Sequence, residues 1–109
     1  MADLLGAFEQ AVLLAIVRLR DDAYGRAIWK EVQDRLDREV AAGAVHATLG
    51  RLADKGLVTS RLGSGTPVRA GRARRFYRLQ PKGLRALNDT RSAVEGLWRG
   101  LTVPLKGPV

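Results

Sequence analysis

RLGSGTPVRAGRARRFYR, from Arg61 to Arg78, sets a Gly/Pro-rich tip between apolar flanks, the pattern of a β-hairpin. It holds six arginines (Arg61, Arg69, Arg72, Arg74, Arg75 and Arg78) and no Asp or Glu, so +6 of the formal net charge of +8 lies here and +2 on the rest of the chain. A guanidinium holds phosphate oxygens with fork geometry, and a cluster of them releases counterions from a polyphosphate backbone. A solvated basic loop is the plain alternative. The absence of interleaved acids and the helices that precede the stretch favour nucleic acid.

Just upstream, Leu57-Val58-Thr59-Ser60-Arg61-Leu62 reads as the first strand, Gly63 to Pro67 as the tip, and Arg74 to Leu79 as the returning strand. Before them come three helical patterns. Leu5, Phe8, Val12, Ile16 and Leu19 recur at helical spacing over Leu4–Leu19. A second helix beginning near Tyr24-Gly25 carries Ile28, Val32 and Leu36, with Trp29 beside them and exposed pairs Glu31–Arg35 and Asp34–Arg38. The third runs from about Ala42 to Lys55, buries Val45, Leu49 and Leu52, and stops at Gly56. After the hairpin, Pro81 suits the first turn of a last helix reaching about Gly100, with Gln80 as a mediocre cap. Helix, helix, helix, hairpin, helix is the order of a winged helix-turn-helix: a mainly α fold with a small β-hairpin, residues 1–80 forming a DNA-binding unit, 81–101 a C-terminal dimerisation helix and 102–109 a tail.

With Val45, Leu49 and Leu52 inward, a step of about 100° per residue turns Ala47 and Asp54 outward, with His46, Gly50 and Arg51 on the shoulders. Ala47 and Gly50 leave room for close approach to a groove. Thr48, nearer the core edge, is placed to reach a phosphate; Arg51 is placed for a phosphate or a guanine edge. Asp54 would be repelled by phosphate and is expected to lie beyond the groove, paired with a basic residue. His46 reads either as a phosphate or base donor or as an aromatic shoulder against the hairpin. In the returning strand Arg75, Tyr77 and Leu79 share one side and Arg74, Phe76 and Arg78 the other, so one aromatic is expected in the core and the other partly exposed. Arg72 and Arg74, near the tip, are the leading phosphate candidates, with Arg69 and Arg75 beside them.

At 109 residues the chain is one domain. A sequence pI of about 11.0 calls for an acidic partner, and the arginines sit on a hairpin rather than the basic amphipathic helix a membrane binder needs. The apolar run from Ala11 to Val17 is too short to span a bilayer and follows an acidic start, so neither a membrane span nor a signal peptide is expected, and a cytoplasmic, nucleoid-associated protein is. There is no cysteine and a single histidine, which leaves no metal site, no cofactor site and no nucleophile–base pair by motif. Gly63-Ser64-Gly65 lacks the following Gly-Lys-Ser/Thr of a phosphate loop.

LGAFEQAVLLAIVRL, AYGRAIWKEV, GAVHATLGRLADKGLV and GRARRFYRLQPKG, with LW near the end, together resemble the PadR family of bacterial transcriptional regulators over roughly Leu5 to Leu101. The resemblance implies a homodimeric winged-helix protein that binds double-stranded DNA, usually as a repressor, through its third helix and wing, with the C-terminal helix building the dimer. It also implies that a small aromatic effector binds some members near the dimer interface. His46 stands where the family usually has Tyr, and Gln80 where it tends to have Thr. Independently, Leu84, Leu87, Arg91, Val94, Trp98 and Leu101 form a seam at spacings of three and four for a partner helix, while Ala86, Ala93 and Leu97 offer a second face for the chain's own domain. A palindromic operator and a repressor follow as the functional expectation; a winged-helix module binding RNA or a protein partner is the alternative.

Overall fold

Gly6, not Leu4, marks the start of the first helix: the Glu9 carboxylate turns back to accept the Gly6 N–H at 3.0 Å, so α1 spans Ala7–Leu19. Leu5 is nonetheless buried, because its N–H donates to the buried Thr90 hydroxyl of the last helix. The computed structural model describes residues 4–63 and 74–101; the hairpin tip with Arg69 and Arg72, and the 102–109 tail, lie outside the described residues. A single 3-10 turn, Arg20–Asp22, leads to α2 (Gly25–Leu36), followed by α3 (Ala42–Asp54), β1 (Val58–Leu62), β2 (Arg75–Leu79) and α4 (Pro81–Trp98).

Val12, Leu13 and Ile16 of α1 meet Ile28 and Val32 of α2, Val45, Leu49 and Leu52 of α3, and Leu57 and Val58 at the root of the hairpin. Full burial of such a side chain is worth about 1.5–3 kcal/mol, so the inward face of α3 holds that glycine-containing helix in place more than its helix propensity does. Gly56, at φ 77°, ends α3: its N–H reaches the Ala53 carbonyl while the Leu57 N–H reaches Leu52. That pairing is a Schellman cap, and its apolar partners Leu52 and Leu57 are both buried.

The turn between α2 and α3 is clamped from one face of α2. The Trp29 indole N–H donates to the Val40 carbonyl at 2.6 Å, and the Gln33 side-chain oxygen accepts the Val40 N–H at 2.9 Å. Glu31 and Arg35 pair at 2.8 Å as expected, but the Asp34–Arg38 pair does not form. Asp37 turns left-handed (φ 51°) and ends the helix, which removes the i,i+4 geometry that pair needed.

β1 and β2 are antiparallel with Val58 opposite Leu79, Ser60 opposite Tyr77 and Leu62 opposite Arg75. Tyr24 adds a bridge to Phe76 on the other side of β2, and the Tyr77 N–H donates to the Ala23 carbonyl. Both aromatics of β2 are half-buried: Tyr77 packs on the core, and Phe76 meets the Tyr24 ring edge-on at 5.7 Å.

α4 leaves the hairpin at Pro81 and turns Gly83 and Thr90 into the body, with Ala86 and Leu87 packed beside them. This corrects one expectation: Leu97, expected to pack inward, is 75% exposed, while Leu87 is half-buried against the chain's own core. The small and hydroxyl-bearing residues, not the largest apolar ones, let the helix approach.

Candidate nucleic-acid interface

The outward surface of α3 is built almost wholly from small side chains. Gly43, Ala44, Ala47 and Gly50 are exposed, flanked by His46 and Arg51, and a Cβ added to Gly43 or Gly50 would meet nothing within 4 Å. A glycine in a helix costs about 1 kcal/mol relative to alanine, and nothing among the described residues requires either glycine. The result is a smooth ridge able to lie close against another surface.

Arg51 is aimed from below. Its Nη2 donates to the Thr48 hydroxyl at 2.9 Å, and Thr48 is 1% exposed. The expectation that Thr48 touches phosphate is therefore corrected: the γ-methyl and hydroxyl sit in the core edge, where the oxygen props the guanidinium. Arg38, at the far side, and Arg51 line a groove of about 520 Å³ whose wall is Ala41, Ala44 and Ala47. Glu39 also lines this groove, so it is not uniformly basic. Asp54 is exposed, and no ion pair among the described residues joins it to a basic side chain.

On the hairpin, arginines are held by aromatic faces. Arg74 lies 4.3 Å from the centroid of Tyr24 and Arg61 lies 5.1 Å from that of Phe76. Such contacts fix guanidinium planes while leaving their outer N–H groups for other acceptors. Arg75 donates to the Ser60 hydroxyl at 3.0 Å across the ladder. Arg69 and Arg72 fall outside the described residues. Sequence reading missed Tyr24, Arg38, Gly43 and Ala44. The period-3.6 pattern of α3 already contained Gly43 and Ala44, whereas Tyr24 acts through a bridge too short to leave any periodicity.

Behind α3 the network is acidic and basic in balance. Glu9 accepts from Gly6 N–H and from Lys55 Nζ at 3.3 Å; the backbone donor first, and the Lys55 charge with it, hold the carboxyl below its ordinary value of 4.5 despite partial desolvation.

Away from α3, a row of large apolar side chains faces out along α4: Leu84, Val94, Leu97 and Trp98, with Leu101 just past its end. Leu14 and Val17 of α1 are also exposed. Arg91 in this row pairs with Glu95 at 3.3 Å.

Three helices with a clamped turn, a small-residue third helix and an arginine-bearing hairpin define a winged helix-turn-helix protein of the nucleic-acid-reading type. The chain belongs to the transcriptional regulator PadR-like family, whose family profile matches residues 13–89. Members of that family are transcriptional regulators rather than enzymes. Similar solved structures include a PadR family transcriptional regulator from Eggerthella lenta, 29% identical with a TM-score of 0.64 over 82% of this chain and 75% of that one. RosR of H. salinarum is 25% identical with a TM-score of 0.67 over 88% and 79%. A PadR family regulator from Clostridium difficile, 22% identical with a TM-score of 0.66 over 85% and 95%, shares the fold. No curated protein matches the chain. No helix among the described residues is long and apolar enough to cross a membrane, and no group of three His or carboxylate side chains among them could hold a metal ion.

Proposed function

We propose that this protein is a homodimeric repressor that binds a palindromic operator in double-stranded DNA. The observation that carries this reading is the face of α3 on which Gly43, Ala44, Ala47 and Gly50 are exposed among the described residues, with Arg51 propped beside them. A helix that seats in a major groove needs such a low ridge with donors on its shoulders. His46, Ala47, Gly50 and Arg51 are the reading surface. Arg69, Arg72, Arg74 and Arg75 of the wing hold backbone phosphates, and Thr48 serves through Arg51. Residues 1–80 act as the reading head and 81–101 as the dimerising element.

The dimer reading rests on the exposed apolar row of α4. Leu84, Val94, Trp98 and Leu101, with the exposed Leu97 added, are a seam suited to a second copy. Two heads on a two-fold axis read half-sites one helical turn or a multiple of it apart. The working location that follows is the nucleoid.

Selection of bound fragments from sheared genomic DNA by the purified protein tests the proposal. An enriched inverted repeat, bound more tightly than random duplex or RNA of equal length, is the expected result. Equal retention of random duplex would reduce the protein to a nonspecific binder, and preferential retention of RNA, or of neither, would favour the module that binds RNA or protein.

A further inference from the structure

Strand alternation gives the hairpin two faces. Val58, Tyr77 and Leu79 turn to the core, and Thr59, Arg61, Phe76 and Arg78 to the opposite side. On that outer side Arg61 and Arg78 meet Arg20, from the end of α1, around a cleft of about 170 Å³. We propose that this cleft holds the terminal phosphate of a small phosphorylated molecule, a phosphate monoester.

Three guanidinium groups and one carboxylate, that of Asp21, line the cleft and leave it a net charge of +2. No ion pair among the described residues joins Arg20, Arg61 or Arg78 to a carboxylate. Like charges gathered on one sheet face oppose folding, so the fold itself gives no reason for the cluster. Arg61 is held in place, 5.1 Å from the centroid of the Phe76 ring. The Thr59 hydroxyl already accepts from the Gln80 side-chain amide at 3.0 Å, which leaves its hydrogen to donate. Arg20 is the clearest sign. Its backbone sits at φ 53°, ψ −120°, a conformation that suits glycine and strains any residue with a Cβ. A strained turn that keeps an arginine where glycine would fit points to work done by the side chain. Guanidinium forks match phosphate oxygens, and a monoester dianion balances the charge of the cleft, whereas a backbone diester brings a single charge. The volume is below the about 300–1,000 Å³ of sites that enclose a whole ligand, so the phosphate enters and its carrier stays outside. Because the side bearing Tyr77 faces α3, this site lies on the far side of the wing from the DNA-reading helix and does not depend on that reading.

Titration of the intact protein, without DNA and at fixed ionic strength, tests it by the phosphorus resonance of methyl phosphate, with dimethyl phosphate as the diester. At a pH of about 8 the monoester is dianionic, its second pKa being about 6. Methyl phosphate should bind saturably, one per chain, and dimethyl phosphate about tenfold more weakly or not at all, the loss expected for one charged hydrogen bond. Arg20→Gly, which suits the turn, and Arg78→Gln should each weaken the monoester about tenfold with circular dichroism unchanged. Arg26→Gln, an equal loss of charge on α2, should leave binding as it is. A short random duplex should not displace the bound monoester; competitive displacement would make the cleft a backbone contact and overturn the proposal. Absence of saturation, equal binding of the diester, or an equal loss in Arg26→Gln and Arg20→Gly would overturn it as well.

Discussion

Gly83→Ala should destabilise this protein although alanine is the better helix former. A Cβ at position 83 would be driven into the Leu57 carbonyl oxygen and would lie 2.7 Å from Leu79 Cδ1. The carbonyl cannot simply yield, because it accepts the Gln80 N–H at 2.9 Å at the point where β2 hands over to α4. Relief therefore requires the first turn of α4 to lift by about 1 Å, at the cost of about 1–3 kcal/mol typical of overpacking. Weakening the Gln80–Leu57 bond adds about 1 kcal/mol, and the gain in helix propensity returns about 1 kcal/mol. The net expectation is a loss of about 1–3 kcal/mol. Gly96, in the same helix with nothing within 4 Å of a would-be Cβ, is the control: Gly96→Ala should stabilise by about 0.5–1 kcal/mol. Urea denaturation at one fixed protein concentration reads both, since unfolding of a dimer depends on concentration. If Gly83→Ala raised the midpoint as Gly96→Ala does, the close approach of α4 to the hairpin root would be refuted.

Thr48→Val keeps the buried shape but removes the acceptor for Arg51; stability should change by less than about 1.5 kcal/mol while operator affinity falls toward that of Arg51→Ala, itself about 1–3 kcal/mol weaker if Arg51 reads a base edge. Tyr24→Leu removes the ring beneath Arg74 and should weaken duplex binding about three- to tenfold by filter retention, with Tyr24→Phe restoring it. Glu9 has a folded-state pKa below its unfolded value, so its stabilisation is fully present above about 4.5 and is lost as pH falls through the lower folded value. Urea midpoints of Glu9→Gln should therefore lie below the parent's near neutrality and converge with them in acid. Val94→Asp puts an unpaired charge in the proposed seam and should yield monomers by sedimentation velocity with the helical signal intact; an unchanged dimer would move the interface elsewhere.

The elements were legible because their signals are periodic. Val45, Leu49 and Leu52 fix the inward face of α3 from spacing alone, and the tip between two apolar flanks announces the hairpin. What escaped was held by partners distant in the chain. Trp29 and Gln33 share a face of α2 at i,i+4, but that both grip Val40 is a tertiary fact. Thr48 was misjudged because threonine suits a core edge or a surface equally, and the choice here depends on Arg51 lying above its hydroxyl. On α4 two stripes have helical spacing, and hydropathy chose wrongly between their members. The stripe that packs inward, Gly83, Ala86, Leu87 and Thr90, is the less hydrophobic one, because what α4 meets is a backbone carbonyl at Leu57 and a backbone N–H at Leu5. Contact between backbones selects for small and hydroxyl side chains, and a hydropathy pattern counts those as surface.

The same residue type thus carries opposite meanings at two places. Around Gly83 the space is filled by the chain's own atoms, so glycine there is explained by the fold and its replacement is read in stability. Around Gly50 the space is empty, so the fold gives no reason for glycine, and adding a methyl group should raise stability by about 1 kcal/mol in the isolated protein. If α3 seats in a groove, what that glycine returns lies outside the molecule, in the closeness of approach that its missing side chain permits. A residue that weakens the free protein and fits nothing inside it is therefore better evidence for a partner surface than the charge beside it, because arginine is at home on any solvated face.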